Sequence, residues 1–232
     1  MLTIVIPTKN EALYLPKLLD SIKSQTLQPR ECVVADASST DGTAMIARQA
    51  GCRVVEGGMP GAGRNRGAES ATSDLLLFLD ADVILQDPRF LERAVQEFHA
   101  RKLDFATCDV EPLSHNAFDR IMHHLYNLYV RALANIHPHA PGFCIFARRE
   151  KHGALHGFDE SITFCEDHDY VLRGARIGSF GILRSVKIPV SVRRLERDGR
   201  FMIALKYVLA EFYIMLFGPI RTNRFRYTFG HK

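Results

Sequence analysis

The sequence predicts an α/β fold: a mostly parallel central sheet with helices on both faces. Three observations predict it. Short apolar runs alternate with helix-period segments through the first hundred residues. Those runs are nearly continuous, as in strands buried on both faces. Several of them end abruptly in polar or acidic residues, which marks the strand ends as a rim.

The elements follow in order. "LTIVIP" (2–7) is the first strand, and with no charged n-region before it the start reads as a strand and not a leader. "EALYLPKLLDSIKSQ" (11–25) is a helix, because Leu15, Leu18, Leu19 and Ile22 recur at helical spacing. "ECVVAD" (31–36) is the second strand, "TDGTAMIARQAG" (40–51) a capped helix ending at Gly51, and "CRVVEG" (52–57) the third strand. "GRNRGAESAT" (63–72) is a helix, and "LLLFL" (75–79) the strand that runs into Asp80-Ala81-Asp82. A helix over 88–102 and a strand over 103–110 complete this half.

The rhythm then changes. Residues 117–136 form a long amphipathic helix with an apolar stripe through Phe118, Ile121, Met122, Leu125, Leu128, Tyr129, Ala132, Leu133 and Ile136. A strand-like "FCIFARRE", a helix from Glu166 to about Gly178 and a strand near 181–192 follow. With no repeat or linker, the chain reads as one domain. Residues 1–110 form a nucleotide-type half, 111–195 a second half of different character, and 196–232 a C-terminal helix and basic tail.

Bulk properties bound the function. The 232 residues are 47% hydrophobic and 24% charged, as in a soluble globular protein. A formal charge of +4 is too small to argue for nucleic acid, and suits an anionic ligand or membrane surface. The five cysteines lack CxxC spacing, and Cys32, Cys52, Cys108 and Cys144 lie in apolar runs. They read as buried free thiols in a reducing, cytoplasmic compartment. No run supplies the roughly 18–20 uncharged residues of a spanning helix, since Lys206 and Glu211 interrupt 201–220.

In a parallel sheet ligands bind at the carboxyl ends of the strands. The rim therefore collects Pro7, Thr8, Asn10 and Glu11 after strand one, Asp36, Ser38, Ser39 and Thr40 after strand two, and Asp80 and Asp82 after strand four. Carboxylates gathered on one rim call for a cation or a ligand rich in hydrogen bonds. Asp-x-Asp suits a hard divalent ion, Mg²⁺ or Mn²⁺, whose shell is completed by water and phosphates. "GMPGAGRNRG" (58–67) fails the dinucleotide fingerprint on spacing and context, yet reads as a glycine loop whose Arg64 and Arg66 could face an anion. Glu166 and Asp167 open a helix, where the dipole favours acids and where a carboxylate could act as a general base. The histidines lack zinc spacing and read as structural or surface residues, with His137 and His139 as possible lining.

Taken together, "TIVIPTKNEALYLPKLLDSIKSQ", "VVADASSTDGT", "GAGRNRGAESA…LLLFLDADV" and "GFDESITFCEDHDYVLRGARIG" resemble glycosyltransferase family 2 over about residues 2–195. The resemblance implies a GT-A fold and transfer of a sugar from a nucleotide-sugar, a UDP- or GDP-sugar, to a hydroxyl with inversion. It implies that Pro7, Thr8, Asn10 and Glu11 line the nucleotide pocket and that Asp36 contacts the base or ribose. Ala35 and Ala37 flank Asp36, where family members often carry a second acid. Arg64 and Asn65 match the donor-side "RN", and Asp80, Ala81 and Asp82 the DXD motif. There Asp82 is the direct ligand of Mn²⁺ or Mg²⁺, and Asp80 faces the ribose or a metal-bound water. Asp167 matches the catalytic base, with Glu166 as its supporting neighbour.

For the acceptor, helix 117–136 is apolar enough to line a groove. Segment 201–220 with the basic end carrying Arg221, Arg224, Arg226 and Lys232 suits peripheral contact with an anionic membrane, hence a lipid-linked acceptor. The alternative for 201–220 is a helix packed on the core or a dimer contact. Two competing functions were weighed. A sugar nucleotidylyltransferase would need a glycine-rich basic loop after strand one, which "PTKNEA" lacks. A non-catalytic nucleotide-sugar-binding protein would have no use for the full set Asp36, Asp80, Asp82 and Asp167.

Overall fold

A computed structural model describes residues 1–222 and 229–230. One sheet of seven strands runs in the order β3-β2-β1-β4-β6-β5-β7. Its strands are β1 (Leu2–Thr8), β2 (Glu31–Asp36), β3 (Arg53–Glu56), β4 (Leu75–Leu79), β5 (Phe105–Pro112), β6 (Cys144–Arg148) and β7 (Phe180–Val190). Strands β1, β2, β3 and β4 pair in parallel, as do β5 and β7. Strand β6 lies between β4 and β5 and runs antiparallel to both. This is the expected mostly parallel α/β sheet, with one reversed strand that local patterning does not reveal.

The crossover helices are α1 (Leu15–Lys23), α2 (Thr43–Gln49), α3 (Pro60–Glu69) and α4 (Phe90–Ala100). Helix α1 starts later than the pattern predicts. Residues 11–14 form a turn in which the Glu11 carbonyl accepts from the amides of Tyr14 and Leu15, and Pro16 sits in the first helical turn. Helix α3 starts three residues earlier than predicted, at Pro60, so the glycine-rich stretch is helical rather than a loop. Its glycines serve packing: a Cβ at Gly67 would overlap Val5, and one at Gly63 would sit 3.1 Å from Pro7 Cβ. Glycine thus lets α3 press on β1.

The core lies on both faces of the sheet. One face packs Ile4, Ile6, Leu77, Leu79 and Phe146 against α1 and α4. The other packs Val5, Phe78, Phe105, Phe158 and Tyr170. Cys108, Cys144 and Cys165 are buried, whereas Cys32 and Cys52 are only half-buried beside the edge strand β3; none forms a disulfide.

The second half adds α5 (Ala117–Leu133), α6 (Arg149–Ala154), α7 (Glu166–Ile177), α8 (Arg193–Asp198) and α9 (Arg200–Phe217). Helices α5 and α9 depart from the usual amphipathic rule that apolar residues face inward. In α5, Ile121, Leu125 and Leu128 are exposed while Asp119 is fully buried. In α9, Met202, Leu209, Phe212 and Met215 are exposed. Its charged residues turn inward instead: Arg200 grips Asp119 at 2.7 and 3.0 Å, Lys206 lies over the Phe164 ring, and Glu211 meets His168. Ala210, Ile214 and Tyr213 complete the contact with Phe164, Cys165 and Ile220. Of the predicted basic end, Arg221 pairs with Asp159 at 2.8 Å, and Arg224, Arg226 and Lys232 lie outside the described residues.

Candidate active site

The chain leaves β1 for β2 on one side, and β4 lies on the other. The gap at the carboxyl ends of β1 and β4 is therefore a topological switch point, where such sheets bind ligands. The loops after β1 and β2 are stitched into one floor. Thr8 Oγ donates to Asp36 Oδ1 at 3.0 Å. The Ser39 amide and hydroxyl donate to Asp36 at 2.9 and 2.6 Å. Asn10 Oδ1 accepts from the Thr40 amide at 2.9 Å. Asn10 and Ser38 hold left-handed backbone angles (φ 51° and 55°), an uncommon cost for residues with side chains. Pro7 is buried behind this floor, in register with Ala35.

At the end of β4 the two acids separate. Ala81 turns into the core. Asp80 is part-exposed and takes Arg64 Nη2 on Oδ1 at 2.8 Å. Asp82 is nearly buried and takes Arg193 Nε on Oδ2 at 2.8 Å. Burial pushes the Asp82 carboxyl up to about 6, against the pull of Arg193. Arg193 also grips both oxygens of Glu11, each at 2.8 Å, and lies over the Tyr14 ring. Glu11 is therefore not a free lining residue but one jaw of a clamp with Asp82.

Arg64 joins the two acidic clusters. Besides Asp80 it binds Glu166 Oε1 at 2.8 Å, and it is almost fully buried. It thus works as a strut inside the cleft wall, in contrast to the anion-facing loop arginine that the sequence predicts. Arg66, its predicted companion, caps the Gly57 carbonyl. Asn65, expected on the donor side, spends its amide on the 158–160 loop. It accepts from the Phe158 amide at 2.8 Å and donates to the Phe158 carbonyl and Glu160, each at 2.9 Å.

Helix α7 begins at a strained point, Cys165 with φ 60°. Glu166 follows, its carboxyl raised by burial and by neighbouring Asp167, with Arg64 opposing. Asp167 Oδ2 accepts from the Gly142 amide at 2.5 Å, and Oδ1 from the His168 amide at 3.0 Å. A Cβ at Gly142 would overlap the Arg64 guanidinium, so a side chain there would push Arg64 from its place beside Asp80. His139 is fully buried with its ring 4.8 Å from that of His168, whereas His137 touches only the edge of this group.

Arg193, Gly142, His168 and Glu211 are not legible as site residues in the sequence. Glu211 carried a signal, as the only acid in an apolar helix. Arg193 carried little, since its partner Glu11 is 182 residues away.

Together these observations describe an α/β protein whose strand-end switch point gathers two acidic clusters that one arginine bridges. Residues 3–156, more than half of the chain, match the model of Glycosyl transferase family 2, and the chain belongs to that family. Among similar proteins, the 4,4'-diaponeurosporenoate glycosyltransferase of Staphylococcus haemolyticus is 38% identical over 106 residues, covering 42% of this chain and 28% of that protein. The PGL/p-HBAD biosynthesis glycosyltransferase of Mycobacterium bovis is 41% identical over 102 residues, covering 40% of each. The matched stretch thus spans well under half the length of these relatives. Among solved structures, the mannosyltransferase PcManGT of Pyrobaculum calidifontis, determined with GDP-Man and Mn²⁺, superposes with a TM-score of 0.70 at 24% identity, covering 82% of this chain and 56% of that one. TarS 1–349 of S. aureus superposes at 0.65 with 19% identity, covering 93% and 72%. The fold is therefore the GT-A arrangement that the sequence predicts.

Proposed function

We propose that the chain is an inverting glycosyltransferase that moves a sugar from a nucleotide-diphosphate sugar to a hydroxyl. One observation carries this reading: Arg64 draws Asp80 and Glu166, from motifs 86 residues apart, to opposite sides of one guanidinium. Donor-side and acceptor-side acids therefore share one cleft. The PcManGT and TarS structures, solved with GDP-Man and with UDP-GlcNAc respectively, support a nucleotide-sugar as the donor class.

In this reading the floor of Pro7, Thr8, Asn10 and Asp36 receives the nucleoside, and Asp80-Ala81-Asp82 faces the diphosphate. Asp80 and Asp82 fit a hard divalent cation: both are carboxylates at a strand end, and each already stabilises a positive group. Among the described residues no cluster of three or more acidic, histidine or cysteine side chains is gathered for a metal. Mn²⁺ or Mg²⁺ held there supplies neutralisation of the charge that builds on the leaving diphosphate. Arg193, bound to Asp82, lies where it can add positive charge to the same region.

On the other wall Asp167 takes the proton of the acceptor hydroxyl, and Glu166 with Arg64 fixes the start of α7 beneath it. Attack from that side, opposite the leaving diphosphate, inverts the anomeric carbon in a single displacement. Asp167→Asn keeps the size and removes the basic oxygen, so turnover should be lost while donor affinity stays. Release of nucleoside diphosphate and equilibrium binding of the donor, measured side by side, check this. A variant that loses donor binding instead would point to Asp167 as a binding residue.

The acceptor in this reading is lipid-linked or otherwise apolar, met at a membrane surface on the cytoplasmic side. The exposed apolar faces of α5 and α9 support it, with Arg120 exposed on the same face-bearing helix α5 to meet anionic lipid. Among the described residues no helix is long and apolar enough to cross a membrane, so the contact would be peripheral. Two of the relatives are named for 4,4'-diaponeurosporenoate and for PGL/p-HBAD biosynthesis, which leaves the acceptor of this chain to the test of its own surface.

A further inference from the structure

Helix α9 has one acid, and it points inward. Glu211 Oε1 lies 2.7 Å from Nδ1 of His168. His168 Nε2 lies 4.0 Å from Oδ1 of Asp167. The buried imidazole thus lies between two carboxylates, one from α9 and one from the start of α7, with Nδ1 close to Glu211 but not aligned for a hydrogen bond. That arrangement favours the imidazolium, because each carboxylate loses a counter-charge if the ring is neutral. Burial alone would lower the His168 pKa, yet Asp167 and Glu211 outweigh it and hold it at about 9.

The surrounding groups do not supply a competing charge near neutral pH. His139, from the loop after α5, is pushed down to about 4 by burial and by the His168 charge. Tyr126 on α5 is raised well above the ordinary phenol value by burial, then by Asp167 and Glu211. Glu166, on the same turn as Asp167, is already paired with Arg64. His137 reaches Glu211 only electrostatically.

We propose that His168 and Glu211 are positioning residues for Asp167, so that the seating of α9 sets the competence of the base. Glu211 fixes the imidazolium, and the imidazolium holds the neighbouring Asp167 carboxylate in place by charge. No proton passes along this chain during turnover; its effect is electrostatic. The proposal rests on Asp167 being the base, and it adds that an exposed, apolar helix reaches that base through one buried charge. Whatever α9 rests on, its displacement by a few ångströms would pull Glu211 off His168.

The test is nucleoside diphosphate release from UDP-N-acetylglucosamine or GDP-mannose with Mn²⁺, whichever the full chain turns over faster, across about pH 6 to 10. Wild type is compared with Glu211→Gln, His168→Gln, Glu211→Asp and Asp167→Asn. Wild-type kcat should fall as pH rises through about 9, where His168 gives up its proton, whereas Glu211→Gln and His168→Gln should already be lowered by about ten-fold near pH 7 and should lack that fall. Donor KM should change by less than about two-fold, and Glu211→Asp should recover most of the wild-type profile. Profiles of unchanged shape, lowered or not, overturn the proposal. If Glu211→Gln does not fold, His168→Gln reads the same cation from within α7. An inactive Asp167→Asn beside a Glu211→Gln of wild-type profile removes this proposal alone; an active Asp167→Asn removes the base assignment and the proposal with it.

Discussion

Arg193 is held by acids from the ends of two strands, Glu11 after β1 and Asp82 after β4. Glu11 and Asp82 are both almost fully buried, so each depends on the guanidinium for its counter-charge. Arg193→Met should cost about 3 kcal/mol in chemical denaturation, because it strands two buried carboxylates. The double variant Glu11→Gln with Arg193→Met should recover part of that loss. A single variant as stable as wild type would show that the clamp is solvated and weak. At this scale the sequence told which acids gather on the rim, since each follows an apolar run. It did not tell which arginines answer them. Arg64 lies in the helix expected over 63–72, but nothing local marks its burial between Asp80 and Glu166, and Arg193 follows the last strand without any motif to mark it.

Helices α3, α5 and α9 show where local pattern and tertiary structure part. The apolar stripe of α5 has the correct period, so the helix was legible, but period alone does not say which face is covered. Both α5 and α9 turn polar side chains inward, which reverses the usual inference from pattern to core. The reversal makes α9 sensitive to pH. His168 is raised to about 9 in the folded protein from an ordinary value near 6.5. Its stabilising contribution is therefore complete below about pH 6.5 and is lost as pH rises through about 9, on the order of 3 kcal/mol in all. Thermal unfolding should show wild type well above His168→Gln at pH 6 and the two converging by about pH 10. A gap that does not change with pH would mean that His168 is neutral and merely packed. Strand β6 was legible as a strand. Its reversed insertion between β4 and β5 was not, because strand order follows from chain connection and not from composition.

In the proposed reading the molecule has a donor floor after β1 and β2, a base at the start of α7, and an apolar outer face on α5 and α9. The two halves read from the sequence share one continuous sheet, and the family match ends at residue 156, inside the second half. That is why the donor class is readable and the acceptor is approached only through surface chemistry. Liposomes rich in anionic lipid should float the full chain, and replacing Leu209, Phe212 and Met215 with Ser should weaken flotation without lowering the melting temperature. Equal flotation would move the apolar face to another role, such as contact between copies of the chain. The central claim is more direct: one cleft binds a nucleotide-sugar through Asp82 and spends it through Asp167. Isothermal titration of UDP- and GDP-sugars with Mn²⁺ into wild type, Asp82→Ala and Asp167→Asn tests it. A donor that binds wild type and Asp167→Asn alike, loses at least about ten-fold in affinity with Asp82→Ala and needs Mn²⁺ is the predicted result. Binding that ignores both Asp82 and the metal, or no binding of any nucleotide-sugar, would contradict it.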